Sequence, residues 1–191
     1  MKSQYIVRDV LVRPLETLST NFLSTKYYNG KSIVDLLDSE SAANDWLSVM
    51  ESELEVVGGY SITERDIPLL RTFREELEQL YKSTIDQPQG ATEHIAAMVS
   101  TLDASPETHI ERGVPSIWWS GSPRRAANLE TAIKLSALNT VTGPLRTKLR
   151  KCYAPKCVLY FTQMHSKQHW CSSVCGNRAR VARHANRPGT D

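Results

Sequence analysis

The segment from Trp170 to His184, WCSSVCGNRARVARH, joins two cysteines to an arginine-rich pattern that is compatible with a helix. Three residues separate Cys171 from Cys175, and four residues separate an upstream pair, Cys152 and Cys157. These are all the cysteines of the chain. Two local pairs that a hairpin brings together supply four sulfur ligands to a tetrahedral zinc ion. The spacing therefore predicts one structural zinc ion per chain, bound by Cys152, Cys157, Cys171 and Cys175.

Two alternatives to this ligand set remain open at the level of sequence. His165 and His169 lie between the pairs, and three cysteines with one histidine also complete a zinc site. Four cysteines without a metal are the second alternative. We find no secretory signal near the N-terminus, and clustered cysteines without an export signal favour metal ligation over disulfides. We therefore expect a cytoplasmic protein.

The sequence after Cys175 predicts a basic helix that binds nucleic acid. At 100° per residue, Arg180, Arg183 and Arg187 fall within about 60° of one another. Guanidinium groups bind phosphates or guanine edges, and asparagine binds adenine. The candidate DNA contacts are Asn177, Arg178, Arg180, Arg183, His184 and Arg187. Arg178 lies nearer the cysteine face, so we prefer bracing of the metal site to DNA contact as its role.

Charge is divided unevenly along the chain. Residues 144–191 contain ten Lys and Arg and one acid, Asp191, whereas residues 1–143 contain thirteen bases and twenty acids. A basic region next to an acidic one favours a polyanion such as DNA as the partner of the basic region. No stretch approaches the ~20 consecutive apolar residues that a membrane-spanning helix needs, so we expect no membrane partner.

Apolar residues at helical spacing dominate the acidic region. The predicted helices contain residues 15–22, 43–57, 67–81, 95–102 and 129–138, and a last short helix contains Leu145 and Leu149. The first helix is predicted to end near Tyr28-Asn29-Gly30, residues 104–115 are predicted as a loop, and residues 114–120 as a strand. The sequence thus predicts a mainly α fold. A helical N-terminal domain with a small β element (1–143, the body) precedes a zinc-binding module with a basic C-terminal helix (144–191, the zinc module).

Motifs of common enzymes are missing from the sequence. It has no phosphate-binding glycine loop, no G-x-S-x-G elbow and no H-E-x-x-H pair. The histidines of the body, His94 and His109, stand alone. We therefore expect a protein that is not an enzyme.

The run from Trp170 to His184 resembles the CGNR zinc finger, a bacterial family. In that family the finger is usually joined to an N-terminal ABATE domain, and the stretches 18–25, 35–37 and 46–47 resemble its signature. Ser24 stands where the family often has asparagine. The resemblance implies a stress-responsive transcription regulator. Its N-terminal domain would sense a signal, form a homodimer or bind a protein partner.

The leading hypothesis from the sequence is a zinc-containing DNA-binding regulator. The alternative is a zinc-thiolate redox switch or a protein-interaction module without direct DNA binding, because oxidation of zinc-bound thiolates releases the metal. RNA binding is a third hypothesis and requires exposed aromatic side chains for stacking. Tyr153, Tyr160 and Trp170 are the candidates.

Overall fold

Short two-stranded ribbons alternate with helices in the computed structural model, which describes residues 4–54, 60–111, 113–121 and 125–185. The elements are β1 (Tyr5–Val7), β2 (Val10–Val12), α1 (Leu18–Leu23), β3 (Lys26–Tyr28), β4 (Ile33–Asp35), α2 (Glu40–Leu54), α3 (Ile67–Asp86), α4 (Ala91–Ser100), β5 (Ala104–Glu111), β6 (Val114–Gly121), α5 (Arg125–Thr142), a 3-10 turn (Arg146–Lys148), β7 (Leu149–Lys151), β8 (Tyr160–Thr162) and α6 (Ser173–Ala185). Consecutive strands pair antiparallel, β1 with β2, β3 with β4, β5 with β6 and β7 with β8. The mainly α character is confirmed in outline, but the described part of the body holds three ribbons where the sequence predicted one small β element.

Three predicted elements are wrong in detail. The first helix ends at Leu23, and Lys26–Tyr28 form β3 where the sequence predicted a continuing helix. The predicted loop over 104–111 is strand β5, which tolerates Pro106 because each strand of a two-stranded ribbon has a free edge. The predicted helix at Leu149 is strand β7, because this segment pairs with β8 after a single 3-10 turn.

Two helix starts follow signals that the sequence contains. At the start of α2 the hydroxyl of Ser39 accepts a hydrogen bond from the backbone N–H of Ala42 (3.2 Å). Before α3 the Asp66 carboxylate accepts one from the backbone N–H of Thr63 (2.8 Å), as in a capping box. The predicted helix stop at Gly58-Gly59 and the predicted cap at Ser122-Pro123 lie outside the described residues.

The short helix α1 lies in the core although its sequence is largely polar. The Phe22 ring packs against the rings of Trp46 and Phe73, with centroids 5.7 and 5.6 Å away. The hydroxyl of Ser19 is fully buried and lies 2.9 Å from the hydroxyl of Tyr81 on α3. Buried polar groups are tolerated where they find hydrogen-bond partners, so α1 can be both polar and central.

The zinc module shares its hydrophobic core with the body. Leu159, Tyr160 and Phe161 are buried in the same cluster as the helices of the body. The Tyr160 ring meets the Tyr81 ring edge to face at 5.6 Å. The guanidinium of Arg13, 1% exposed, donates a hydrogen bond to the backbone carbonyl of Tyr160 (2.7 Å). Buried contacts therefore cross the predicted domain boundary, and the division into two domains stays a prediction.

An ion pair between Asp35 and Arg74 joins β4 to α3. We expect it to make the stability of the folded protein sensitive to acid. Arg74 donates two hydrogen bonds, of 2.7 and 2.6 Å, to the Asp35 carboxylate. Burial is the largest single effect and would raise the pKa of Asp35. The hydrogen bonds from Arg74 and from the backbone N–H of Leu37, together with the positive charges of Arg74 and Lys26, outweigh burial and hold the pKa below its ordinary value. A carboxyl group whose pKa is lower in the folded state adds stability above its unfolded pKa, about 3.9. That stability is lost as the pH falls through the folded pKa.

We therefore expect Asp35→Asn to flatten the dependence of the free energy of unfolding on pH below about pH 4. Urea denaturation at a series of pH values measures it. Asp38→Asn is the matched control, because Asp38 pairs with Arg71 through side chains that are 69% and 42% exposed. An acid sensitivity that is as steep in Asp35→Asn as in the wild type would contradict the assignment.

Candidate metal centre and basic helix

The β7–β8 ribbon positions the first cysteine pair. Cys152 directly follows β7, and its backbone N–H donates a hydrogen bond to the carbonyl of Leu159 (2.9 Å). The backbone N–H of Cys157 donates to the carbonyl of Ala154 (2.9 Å), which closes a tight turn. Lys156 takes a left-handed conformation in this turn (φ 61°), which is uncommon for residues other than glycine. The turn points both sulfur atoms to the same side.

The start of α6 positions the second pair. The hydroxyl of Ser172 accepts a hydrogen bond from the backbone N–H of Cys175 (3.3 Å), which confirms the predicted cap. Cys175 therefore lies in the first turn of the helix, and Cys171 lies just before it. A Cβ atom placed on Gly176 would lie 3.0 Å from Cδ1 of Trp170. Close packing of this indole explains the glycine after Cys175.

The four cysteine sulfur atoms form one cluster. They all lie within 4.8 Å of one another. The Sγ–Sγ distances are 3.8 Å for Cys157 and Cys171, 3.4 Å for Cys171 and Cys175, and 3.7 Å for Cys175 and Cys157. A tetrahedron of sulfur atoms about 2.3 Å from zinc has edges of about 3.8 Å. The cluster therefore fits a zinc ion, as the sequence predicted.

The donor set favours a structural metal over a catalytic one. Four protein ligands leave no open coordination position for a substrate. Within the described parts of the chain this is the one group of three or more potential ligands close enough to hold a metal ion. His165 and His169 are exposed and do not belong to it. The three-cysteine alternative with a histidine ligand therefore has no support in the geometry.

Electrostatics within the cluster also favour a cation. The pKa of the Cys152 thiol lies far below its usual range, because the other three sulfur atoms form hydrogen bonds with it. The hydrogen bond with Cys157 has the largest effect. The hydrogen bond with Cys152 in turn raises the pKa of Cys157 and of Cys171. Four thiolates in contact repel one another unless a cation lies among them. A zinc ion held by the four sulfur atoms would replace their protons, and its binding free energy would add to folding.

Arg178 braces the cluster against the body. One of its terminal nitrogens, Nη2, lies 3.2 Å from the Sγ atom of Cys175. Its guanidinium carbon lies 4.8 Å from the ring centroid of Tyr28 on β3, and Lys156 Nζ lies 5.6 Å from the same centroid. These contacts use the cation–π attraction of the tyrosine ring. They match the bracing role that the sequence left open for Arg178.

The other candidate side chains of α6 face solvent. The exposed ones are Asn177, Arg180, Arg183 and His184, while Cys175 and Ala179 form the buried face. Arg180 donates a hydrogen bond to the side-chain carbonyl of Asn177 (2.7 Å), so these two side chains form one polar unit on the helix surface. Arg187 lies outside the described residues.

Two residues that position the zinc module were not predicted from the sequence. Glu16 accepts a hydrogen bond from the backbone N–H of Thr162 on β8 (2.9 Å), and it also pairs with Arg13 at 3.1 Å. Burial raises the pKa of Glu16, while the charge of Arg13 and the hydrogen bonds from Thr162 oppose that shift. Because 146 residues separate Glu16 from Thr162 along the chain, no local pattern points to this contact. The spacing of Arg13 and Glu16 is the one available hint.

Comparison with known families supports the assignment of the zinc module. Residues 148–188 match the model of the CGNR zinc finger family, and this range contains all four cysteines. No curated protein is significantly similar to the chain. Among the described helices, none is long and apolar enough to cross a membrane. The resemblance of the body to an ABATE domain stays a prediction.

Proposed function

We propose that this protein is a DNA-binding transcription regulator whose zinc module presents α6 to the DNA duplex. The observation that carries the proposal is the exposed polar face of α6, formed by Asn177, Arg180 and His184, in a region without acids. No Asp or Glu occurs between Pro144 and Thr190. Such a surface attracts phosphates without local repulsion.

The chemistry of the exposed face suits a duplex. Guanidinium groups bind phosphate oxygens or the O6 and N7 atoms of guanine, and asparagine amides pair with adenine in the major groove. Arg180 and Asn177 are already held together by a hydrogen bond of 2.7 Å, so less side-chain entropy is lost when both contact DNA. A single helix offers a small interface, and useful specificity therefore calls for a second copy or a protein partner.

The body supplies the regulatory part of the proposal. Arg13 and Glu16 bind β8 of the zinc module, and Arg178 bridges Cys175 and Tyr28. A change in the body would therefore reach the zinc module through buried contacts. In this proposal the body senses a signal or mediates association. The protein acts in the cytoplasm of a bacterial cell, in a stress response, and is not an enzyme.

Salt-dependent binding to duplex DNA tests the proposal. We expect the full-length protein with zinc to bind a random-sequence 20-base-pair duplex, with an affinity that falls as salt rises. Because each lost phosphate contact reduces the slope of log affinity against log salt by about 0.9, Arg180→Ala with Arg183→Ala is expected to flatten this slope. Fluorescence anisotropy at several salt concentrations measures it.

Lys82→Ala is the matched control, since it removes an exposed positive charge from α3 of the body. Its slope is expected to equal that of the wild type. A slope that is unchanged in the Arg180 and Arg183 double variant would contradict the assigned contacts. No duplex binding at low salt would contradict the proposed function.

A further inference from the structure

A groove on the zinc module lies beside the exposed face of α6. It has a volume of about 650 Å³ and runs between the Cys152–Cys157 turn and the helix. Its lining residues are Tyr153, Pro155, Trp170, Ala179, Ala182 and Arg183. The lining therefore combines two alanines and a proline with two aromatic side chains and an arginine.

Tyr153 is unusually exposed for an aromatic residue. Its side chain is 70% exposed, and among the described residues it is the one aromatic in the set of exposed large apolar side chains. Its hydroxyl makes no hydrogen bond to any residue in the described ranges, whereas Tyr5, Tyr27 and Tyr28 each donate one. An exposed ring whose hydroxyl has no partner among the described residues is available to stack on a ligand.

Arg183 gives the groove its charge. Its Nε atom makes one long hydrogen bond, 3.5 Å to the carbonyl of Ala179. No ion pair joins it to a carboxylate of the described residues, and the zinc module contains no acid before Asp191. The groove therefore combines an apolar, aromatic surface with an unneutralised cation. Grooves that bind single-stranded nucleic acid have this combination, since bases stack on aromatic rings and phosphates pair with cations.

We propose that this groove binds an unpaired nucleobase of single-stranded nucleic acid. The base stacks on Tyr153 between the turn and α6, and the adjacent phosphate pairs with Arg183. A base inside a duplex is already stacked on both faces, so the groove favours a strand that is unpaired. This inference rests on the proposed function only for its claim that the zinc module binds nucleic acid. The site lies beside the Asn177, Arg180 and His184 face assigned to the duplex, and it shares only Arg183 with the duplex contacts tested above.

The test measures single strands and a duplex with the same protein. Fluorescently labelled oligo(dT) and oligo(rU) of ten nucleotides, together with the 20-base-pair duplex, are titrated with the full-length zinc-loaded protein. We expect Tyr153→Leu to weaken binding of the single strands about tenfold, the effect of losing one stacked base. Tyr153→Phe keeps the ring and is expected to retain affinity. Duplex binding is expected to be equal in all three proteins.

A second readout reports on the groove directly. Trp170 lines it, so the tryptophan fluorescence of the wild type is expected to fall as oligo(dT) binds, and Trp170→Phe is expected to lose most of this signal. Zinc content and melting temperature show whether each variant is folded. Tyr153 tolerates substitution because it is exposed.

The outcomes separate the two proposals. Single-strand binding that is equal in Tyr153→Leu and the wild type overturns the groove assignment, and so does an absence of single-strand binding by the wild type. Duplex binding with no single-strand binding leaves the proposed function intact. Tyr153-dependent single-strand binding without duplex binding supports the groove and contradicts the duplex proposal. Tyr153-dependent binding that is stronger for oligo(dT) or for oligo(rU) supports the groove and shows which of the two strands it prefers.

A polyproline peptide is the competing occupant, because aromatic grooves also bind such peptides. The unneutralised positive charge of the groove favours a polyanion over a neutral chain. Tyr153-dependent binding of a ten-residue polyproline peptide that exceeds the binding of oligo(dT) overturns the proposal.

Discussion

Removal of zinc by chelation is expected to unfold the zinc module and to destabilise the body in the same step. The first cysteine pair lies in the turn that connects β7 to β8. Leu149, Tyr160 and Phe161 of these strands lie in the core that is shared with α3. Zinc binding contributes about 10–16 kcal/mol of apparent free energy in small zinc modules. That amount is comparable to the whole stability of a typical domain, about 5–15 kcal/mol. Because the core is shared, the body cannot keep its full stability once the ribbon is lost.

Hydrogen exchange of the α3 amides, together with thermal unfolding, measures this effect. We expect faster exchange in α3 and a lower melting temperature for the chelated protein and for Cys171→Ser. Added zinc is expected to restore the chelated wild type but not the variant. Ser166→Ala, an exposed substitution in the loop between the cysteine pairs, is the control and is expected to retain zinc. Exchange in α3 that does not change on zinc removal would contradict the shared core.

Arg13→Met is expected to lower the free energy of unfolding by about 3–5 kcal/mol, the range found when one partner of a buried ion pair is removed. Arg13 is 1% exposed and donates hydrogen bonds to the Glu16 carboxylate (3.1 Å), the Ser24 hydroxyl (3.1 Å) and the Tyr160 carbonyl (2.7 Å). Without it, Glu16 remains buried with no cation beside it. The carbonyl of Tyr160 also loses a partner, which weakens the attachment of β8 to the body.

A double-mutant cycle separates the charge effect from the packing effect. Glu16→Gln removes the buried charge, so the combination with Arg13→Met is expected to cost less than the sum of the two single variants. Urea denaturation of the zinc-loaded proteins measures each free energy. Arg65→Met is the control for losing an arginine at an exposed position. A loss below about 1 kcal/mol for Arg13→Met would show that the pair adds little to stability.

Several features of the fold were predictable because their causes are local. The apolar face of α3 repeats at helical spacing, and Ser39 and Ser172 make the hydrogen bonds that their positions before helices predict. The cysteine pairs were predictable for the same reason. Two cysteines four or five positions apart can bind the same ion, because one turn of the chain brings their sulfur atoms close together.

Other features had no local cause, and the sequence predicted them wrongly or not at all. The first turn signal after α1 is Tyr28-Asn29-Gly30, so the sequence predicted a helix up to it. Lys26–Tyr28 form β3 instead, because Tyr27 pairs with Val34 across a turn. Ser19, Thr20 and Asn21 have the polar character of a surface segment. Ser19 and Thr20 are buried because Tyr81 and Ser136, far away in the chain, satisfy their hydrogen bonds. Asn21 bonds to the backbone of Arg13, eight residues before it.

The sequence by itself determined the four cysteines whose cluster fits a zinc ion and the basic helix that follows them, because both depend on spacings of a few residues. Only the tertiary structure decided that Arg178 turns to Tyr28, that Tyr153 and Arg183 share a groove, and that Arg13 holds β8. These contacts depend on how distant segments pack. Arg13 and Tyr160 are 147 positions apart, and at that separation the partner of a side chain is set by the shared core rather than by its neighbours in sequence.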